Sequence, residues 1–309
     1  MKGIILAGGS GTRLYPITKG ISKQLVPVYD KPMIYYPLST LMQANIRDIL
    51  IITTKDDQAG FIRALGDGSD FGVNLTYKIQ PSPDGLAQAF TLGKDFIGDD
   101  ACAMVLGDNV FFGEGFEEKL STASMQAELG YANIFGCEVP DPERFGIVEF
   151  DENQNAISIE EKPKHPKSNY AVPGLYFFPA GVSERAEKVN KSPRGEYEIT
   201  DLIDMYLKEK KLKVQLFGRN FTWFDTGLFD SLNDASNLIR SVQTNKGIVI
   251  ACPEEIAFNN KWISIDKLDE SANLMAKNSY GKHLKKISDD YKNKHNMKLT
   301  LDDKIKKMF

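Results

Sequence analysis

Apolar runs separated by helical patterns fill the first hundred residues, and this alternation limits the available folds more than any other feature of the chain. The runs are Gly3-Ile4-Ile5-Leu6-Ala7, Asp48–Thr53 (DILIIT), Leu75–Ile79 and Ala101–Leu106. A continuous apolar run of five or six residues reads as a strand covered on both faces. Between the runs lie helical segments: one with Pro32 in its first turn and ending near Ala44, one over Gln58–Leu65, and one over Leu86–Phe96. Strands alternating with helices predict an α/β fold, a mostly parallel, Rossmann-like sheet flanked by helices. Ligands of such sheets bind beyond the carboxyl ends of the strands, which directs attention to the loops after Ala7, Ile79 and Leu106.

The second half is less regular. Runs at Tyr131–Val139, Phe145–Phe150, Ala156–Glu161 and Gly174–Phe178 stand close together and predict an antiparallel insertion. A helix over Ile199–Glu209, strands at Lys213–Phe217 and Phe221–Asp225, and a helix from after Gly227 to about Gln243 follow. The expected organisation is one core over 1–243, with halves meeting near residue 130, and a C-terminal helical region over 244–309. Its last stretch, Asp289–Phe309, is rich in Lys and Asp and is expected to fray.

Bulk properties exclude several functions. The net charge of −4 favours neither nucleic acid nor an anionic membrane, so an anionic ligand must be held by locally placed Lys and Arg. No apolar run is long enough to span a membrane, and no secretory leader pattern is evident, so a cytoplasmic location is expected. Cys102, Cys137 and Cys252 form no C-x-x-C pair, and Cys102 and Cys137 are expected to be buried inert thiols in strands. No Ser-His-Asp or Cys-His pattern accompanies the three histidines, His165, His283 and His295.

The first strand runs into Leu6-Ala7-Gly8-Gly9-Ser10-Gly11-Thr12-Arg13-Leu14. Glycines there let backbone N–H groups approach a phosphate, although a plain turn has the same composition. A P-loop would need Lys followed by Ser or Thr, and a dinucleotide fingerprint would need glycine where Leu14 stands; neither is present. Arg13 follows the loop directly, and Ser22-Lys23-Gln24-Leu25 adds a second cation. Two cations beside a backbone nest suit a triphosphate, whose pyrophosphate they would neutralise and orient as a leaving group.

The GGSGTRL loop, with the stretch from Pro16 to Pro32 (PITKGISKQLVPVYDKP), closely resembles the nucleotide-sugar pyrophosphorylases, specifically the glucose-1-phosphate thymidylyltransferases. The resemblance extends to about residue 285. It implies nucleotide contacts from Leu6, Gly8, Gly9, Gly11, Thr12, Gln24 and Asp108, and a base-binding segment at Gln80-Pro81-Ser82-Pro83-Asp84-Gly85-Leu86. Gln80 offers a donor and an acceptor to a pyrimidine edge and Gly85 permits close backbone approach; Asp84 also reads as a helix cap. Asp108 and Asp225 match the aspartates that hold Mg²⁺ on the nucleotide, a role suited to hard oxygen ligands, while Asp225-Thr226-Gly227 before a helix fits an N-cap equally. The Ile159-Glu160-Glu161-Lys162-Pro163 segment implies Lys162 on the sugar phosphate and Glu161 on sugar hydroxyls. Arg194 matches a second phosphate-binding cation, and Gly146, Val172 and Gly174 line the sugar pocket. Phe145 stands where a Tyr is expected.

The resemblance therefore implies dTTP, with UTP as a weaker substrate, and glucose 1-phosphate as partners, Mg²⁺ as cofactor, and Arg13, Lys23, Lys162 and Arg194 as the catalytic cations. A homo-oligomer, commonly a tetramer, is implied, with a second nucleotide-sugar site near an interface to which Arg219 is a candidate contributor. Uridylyl or other nucleotidyl transfer on the same fold is the alternative within enzymes, and a catalytically silent nucleotide-sugar sensor the alternative outside them.

Overall fold

The computed structural model describes the backbone of residues 1–306 and the side chains of residues 1–294. Strand Lys2–Ala7 lies at the centre of a parallel set, with Cys102–Leu106 on one side and Asp48–Thr53, then Asn74–Ile79, on the other. Leu175–Phe178 joins the Cys102–Leu106 edge antiparallel. It leads to Ala132–Glu138, which also pairs in parallel with Leu212–Leu216. Tyr170–Ala171, Gly146–Phe150 and Ala156–Glu161 complete an antiparallel extension. The expected Rossmann-like sheet and antiparallel insertion are therefore one continuous sheet.

The continuous apolar runs have a direct physical cause. Successive strand side chains point to opposite faces, and both faces are covered. Ile5, Ile49, Ile51 and Val105 pack with Leu38 and Leu41 of helix Tyr35–Gln43 and Phe61 of helix Gln58–Leu65. Ile4, Leu50, Ile52 and Met104 pack on the other face with Phe90, and with Leu202 and Ile203 of helix Ile199–Lys208. Each such fully buried side chain contributes about 1.5–3 kcal/mol.

Several boundaries differ from expectation. The Leu86–Phe96 helix is two short helices, Gln88–Leu92 and Lys94–Ile97, meeting at Gly93. The chain turns back after Asp108 into a strand, Asn109–Gly113, that pairs antiparallel with Phe221–Asp225 outside the main sheet. Helix Phe116–Glu128 follows it; neither element stands out in the sequence. Cys102 is buried as expected, but Cys137 is only half-buried, at the end of its strand where the sheet gives way to the extension. Helices Pro253–Asn259, Ile265–Leu274 and Ser279–Lys306 close the chain. The segment expected to fray is helical through Lys306; the side chain of His295 and residues 307–309 lie outside the described residues. Among the described residues no helix is long and apolar enough to cross a membrane.

The two-stranded ribbon is fastened to the core by stacked rings. Phe217 lies between Phe221, at 3.8 Å, and Phe135, at 4.9 Å, each nearly parallel to it. Phe111 and Phe116 stack at 5.5 Å beside them. We expect Phe217→Ala to destabilise the fold by about 3–5 kcal/mol, seen as a lower midpoint in urea at an unchanged slope. Phe217→Leu, which keeps most of the volume, should cost less.

Candidate active site

The glycine loop, the ribbon and the antiparallel extension meet at the carboxyl ends of the parallel strands. Gly8, Gly9, Gly11, Thr12, Arg13, Lys23, Gln24, Asp108 and Gly227 line one cavity of about 300 Å³. Gly11 has φ of 58°, a left-handed conformation in which its carbonyl accepts from Thr18 Oγ1 at 2.7 Å. Gln24 is buried and donates to the Gly8 carbonyl at 3.2 Å. Leu6 is buried at the end of the central strand, beneath the loop.

A second cavity of about 240 Å³ shares Arg13 and Asp108 with the first and adds Leu86, Phe145, Gly146, Glu161, Lys162, Val172, Gly174 and Asp225. A third, sharing Gly9, Ser10 and Pro83 with the first, is lined by Gln80 and Thr54-Lys55-Asp56. Residues separated by more than two hundred positions thus line a row of adjoining cavities, which form a trough of three parts.

The two aspartates are brought together by the ribbon. Asn109 stands opposite Asp225 in the strand register, so Asp108 and Asp225 lie side by side. Thr226 locks the arrangement: its N–H and hydroxyl both donate to the Asp108 carbonyl, at 3.1 and 2.7 Å. Lys23 forms an ion pair with Asp108. Burial opposes ionisation of Asp108, but the Lys23 charge and the hydrogen bonds from Lys23 and Asn109 outweigh it and hold this carboxyl below its ordinary value. Asp225 goes the other way: burial first, then the Asp108 charge, push its carboxyl up. The helix after Asp225 begins at Phe229, with Leu228 at its N-cap, so Asp225 is not the cap that its sequence context also allowed.

Asn109 is the residue that sequence reasoning missed. It is buried, donates to Asp108 Oδ1 at 3.0 Å, and accepts from Trp223 Nε1 at 2.6 Å and from the Gly174 N–H at 3.0 Å. One amide therefore ties the Asp108 turn to the partner strand and to the extension. Its only sequence signal was adjacency to Asp108.

In the extension, Glu161 lies between Lys162 Nζ at 3.6 Å and Arg194 at 3.4 Å. Burial, assisted by the charge of Glu198, raises its carboxyl despite these two cations. Lys162 holds φ of 44°, an unfavourable left-handed conformation for a residue with a side chain, at the rim of the cavity. Arg194 is exposed and also reaches Glu196 at 3.2 Å and Glu198 at 3.4 Å; it adjoins the cavity through Glu161 without lining it. Phe145 packs on Trp223, ring centroids 5.1 Å apart, with the Arg144 guanidinium 5.2 Å from its ring centroid.

The base segment is tied to the rest of the protein. Gln80 is buried and donates Nε2 to Gln88 Oε1 at 2.8 Å, so part of its hydrogen-bonding capacity is spent within the protein. Gly85, with φ of 114°, is required by another chain segment: a Cβ there would lie 2.4 Å from the Tyr197 carbonyl oxygen. Asp84 caps no helix; it accepts from Ser82 at 2.5 Å and from Gln88 at 3.2 Å. Arg219 lies in an exposed turn and lines none of these cavities.

The nucleotidyl transferase family model matches residues 2–242. A glucose-1-phosphate thymidylyltransferase of Neisseria meningitidis is 57% identical over 287 residues, covering 93% of this chain and 99% of the relative. The chain belongs to the glucose-1-phosphate thymidylyltransferase family of nucleotidyl transferases. A crystal structure from Bacillus anthracis, assigned as a glucose-1-phosphate thymidylyltransferase and holding a sucrose, superposes with a TM-score of 0.72 at 43% identity, over 78% of this chain and 95% of that one. A UDP-glucose pyrophosphorylase solved with UDP-glucose shares the fold, with a TM-score of 0.69 at 22% identity, over 78% of this chain and 98% of that one. As a nucleotidyl transferase, the chain is an enzyme.

The opposed shifts of the aspartates give this thymidylyltransferase-family site a measurable signature. Asp225 has a folded pKa above its unfolded value, so its contribution to stability is present at low pH. That contribution is lost as pH rises from the ordinary carboxylate range through the raised value. Asp225→Asn removes this loss, so we expect the variant to unfold at a higher temperature than the parent at neutral pH, with the difference shrinking toward acid. Calorimetry across that range checks the sign.

Proposed function

We propose that the enzyme transfers a thymidylyl group from dTTP to glucose 1-phosphate, giving dTDP-glucose and pyrophosphate. The observation that carries this reading is the row of adjoining cavities: a segment containing Gln80 at one end, a glycine loop with Arg13 and Lys23 in the middle, and Glu161 with Lys162 at the other. The names borne by its relatives agree with it.

The sugar phosphate is already anionic, so no general base is needed. One of its oxygens attacks the α-phosphorus in line, and the bond to pyrophosphate breaks as the new P–O bond forms. Repulsion between two anions is the main obstacle. Lys162 and Arg194 hold the nucleophile, while Arg13, Lys23 and the loop N–H groups hold the triphosphate, so that catalysis is positioning plus electrostatic stabilisation. Glu161 receives the sugar hydroxyls, and Gly146, beside it, leaves room for the ring. A Cβ at Gly146 would meet Thr200 at 2.9 Å and Glu161 at 3.3 Å.

The donor set fits Mg²⁺. Asp108 and Asp225 offer hard oxygens side by side, and burial, followed by the Asp108 charge, raises the Asp225 carboxyl, an opposition to ionisation that a divalent cation would relieve. When bound, Mg²⁺ would supply charge neutralisation on the triphosphate. Residues 1–243 carry the reaction in this reading, nucleotide half to about 130, and 244–309 form a helical appendage. The proposed setting is the cytoplasm, and the proposed assembly a homotetramer, which light scattering checks.

A pyrophosphate-release assay with glucose 1-phosphate tests the reaction. We expect kcat/KM for dTTP to equal or exceed that for UTP, both well above ATP and GTP, and EDTA to abolish release. Preference for ATP, or full activity in EDTA, would overturn the base assignment or the metal assignment respectively.

Lys162 separates joining two anions from binding one. Lys162→Ala should remove a charge-assisted hydrogen bond worth about 1.5–3 kcal/mol, a roughly ten- to hundred-fold loss in use of the sugar phosphate. dTTP affinity measured by calorimetry should change little. Equal losses for both ligands would make Lys162 a structural residue.

A further inference from the structure

A second group of reactive side chains lies in the C-terminal helical region. Cys252, Glu255 and His283 each present one ligand atom, and these atoms all lie within 4.8 Å of one another. Their convergence has a local cause. Cys252 is the N-cap of helix Pro253–Asn259 and Glu255 is the third residue of that helix, so the C-x-x-E spacing puts both on its first turn. His283 comes from the second turn of helix Ser279–Lys306, and its Nε2 meets Glu255 Oε2 at 2.7 Å. Cys252 is buried, while Glu255 and His283 are partly exposed.

Glu254, two residues from Cys252, is buried, and its Oε2 accepts from the Tyr280 hydroxyl at 2.5 Å and from the Cys252 thiol at 3.8 Å. Cys252 and Glu255 also line a cavity of about 520 Å³, bounded by Tyr36, Phe111 and Ile250, which shares no lining residue with the active-site trough.

We propose that Cys252, Glu255 and His283 form a binding site for a zinc-class divalent cation, with the adjoining cavity supplying a water as fourth ligand. Sulfur, imidazole nitrogen and carboxylate oxygen are the ligand types of zinc, and magnesium and calcium take oxygen. Bonds of about 2.0–2.3 Å put tetrahedral ligands about 3.5 Å apart, so the three groups close on an ion by side-chain rotation. A thiolate and a carboxylate balance the two charges of the cation, leaving a neutral centre in a partly buried place. On binding, the Cys252 thiol proton leaves to buffer, its hydrogen bond to Glu254 is lost while Tyr280 still donates to that acid, and the hydrogen bond between Glu255 and His283 gives way to two coordinate bonds. The ion then joins the Pro253–Asn259 helix to the long C-terminal helix. This site does not depend on the proposed reaction.

The full-length chain, stripped with a chelator and dialysed, is titrated with Co²⁺. We expect one ion per chain, a near-ultraviolet sulfur-to-cobalt charge-transfer band and intense visible tetrahedral bands, displaced by Zn²⁺ and unaffected by excess Mg²⁺. Cys252→Ser should abolish the charge-transfer band, and His283→Ala should weaken Zn²⁺ binding by at least about ten-fold. Asp225→Asn should retain both. Should Cys252→Ser fail to fold, His283→Ala, at a partly exposed position, carries the test alone. Absence of a charge-transfer band in the parent, a band that survives Cys252→Ser, or Zn²⁺ affinity unchanged in His283→Ala would overturn the proposal and leave a hydrogen-bonded Glu–His pair beside a buried thiol.

Discussion

The buried side chain of Asn109 is the joint on which the site depends. Its oxygen takes the Trp223 indole and the Gly174 N–H, and its nitrogen goes to Asp108. The Trp223 strand, which lies outside the main sheet, is thereby fixed to the same planar group as the Asp108 turn and Gly174, which the sheet already pairs. A buried donor left without its acceptor costs about 1–3 kcal/mol, so the indole and the Gly174 N–H each resist any movement of the amide. The stacked Phe135, Phe217 and Phe221 rings add apolar fastening under the same ribbon. Rigid placement matters because two carboxylates side by side repel, and an unfastened turn would relax by separating them.

Every proposed phosphate-binding cation other than Arg13 is paired with acid within the site. Lys23 faces Asp108, Lys162 faces Glu161, and Arg194 is shared among Glu161, Glu196 and Glu198. A lone anion must compete with these internal partners, whereas a triphosphate and a sugar phosphate present enough charge together to displace them. The pairing also explains how a chain of net charge −4 offers a local anion site without a basic surface.

The two ends of the trough are mechanically connected. The Tyr197 N–H donates to the Asp84 carbonyl at 2.6 Å, the Ala87 N–H donates to the Tyr197 carbonyl at 3.1 Å, and Lys191 reaches Asp84 at 3.3 Å. The base segment and the loop bearing Arg194 therefore form one hydrogen-bonded unit, with Gly85 as the point of contact. Displacement of either segment therefore strains the other.

Local pattern was sufficient for the parallel strands, for the helices Gln58–Leu65 and Ile199–Lys208, and for the glycine loop, because each of these is specified by periodicity or by backbone freedom within a few residues. The resemblance pointed to the cations and acids of the candidate site; Arg13, Lys23, Asp108, Glu161, Lys162 and Asp225 line adjoining cavities, while Arg194 meets them only through its acidic partners. Adjacency in space was another matter. The Asn109–Gly113 strand escaped notice because its partner lies more than a hundred residues away, and a ribbon outside the main sheet leaves no periodic trace. The opposed shifts of Asp108 and Asp225 follow from burial, from that pairing and from Lys23, not from the identity of either residue. Gly85 was legible as a glycine needing room, but only tertiary structure decided that the neighbour is the Tyr197 backbone. Sequence by itself determined which elements form and which chemical groups the chain carries, since those are properties of short segments. The tertiary structure decided which groups share a charge, a hydrogen bond or a cavity, because those energies depend on distances that only the closed sheet and its ribbon establish.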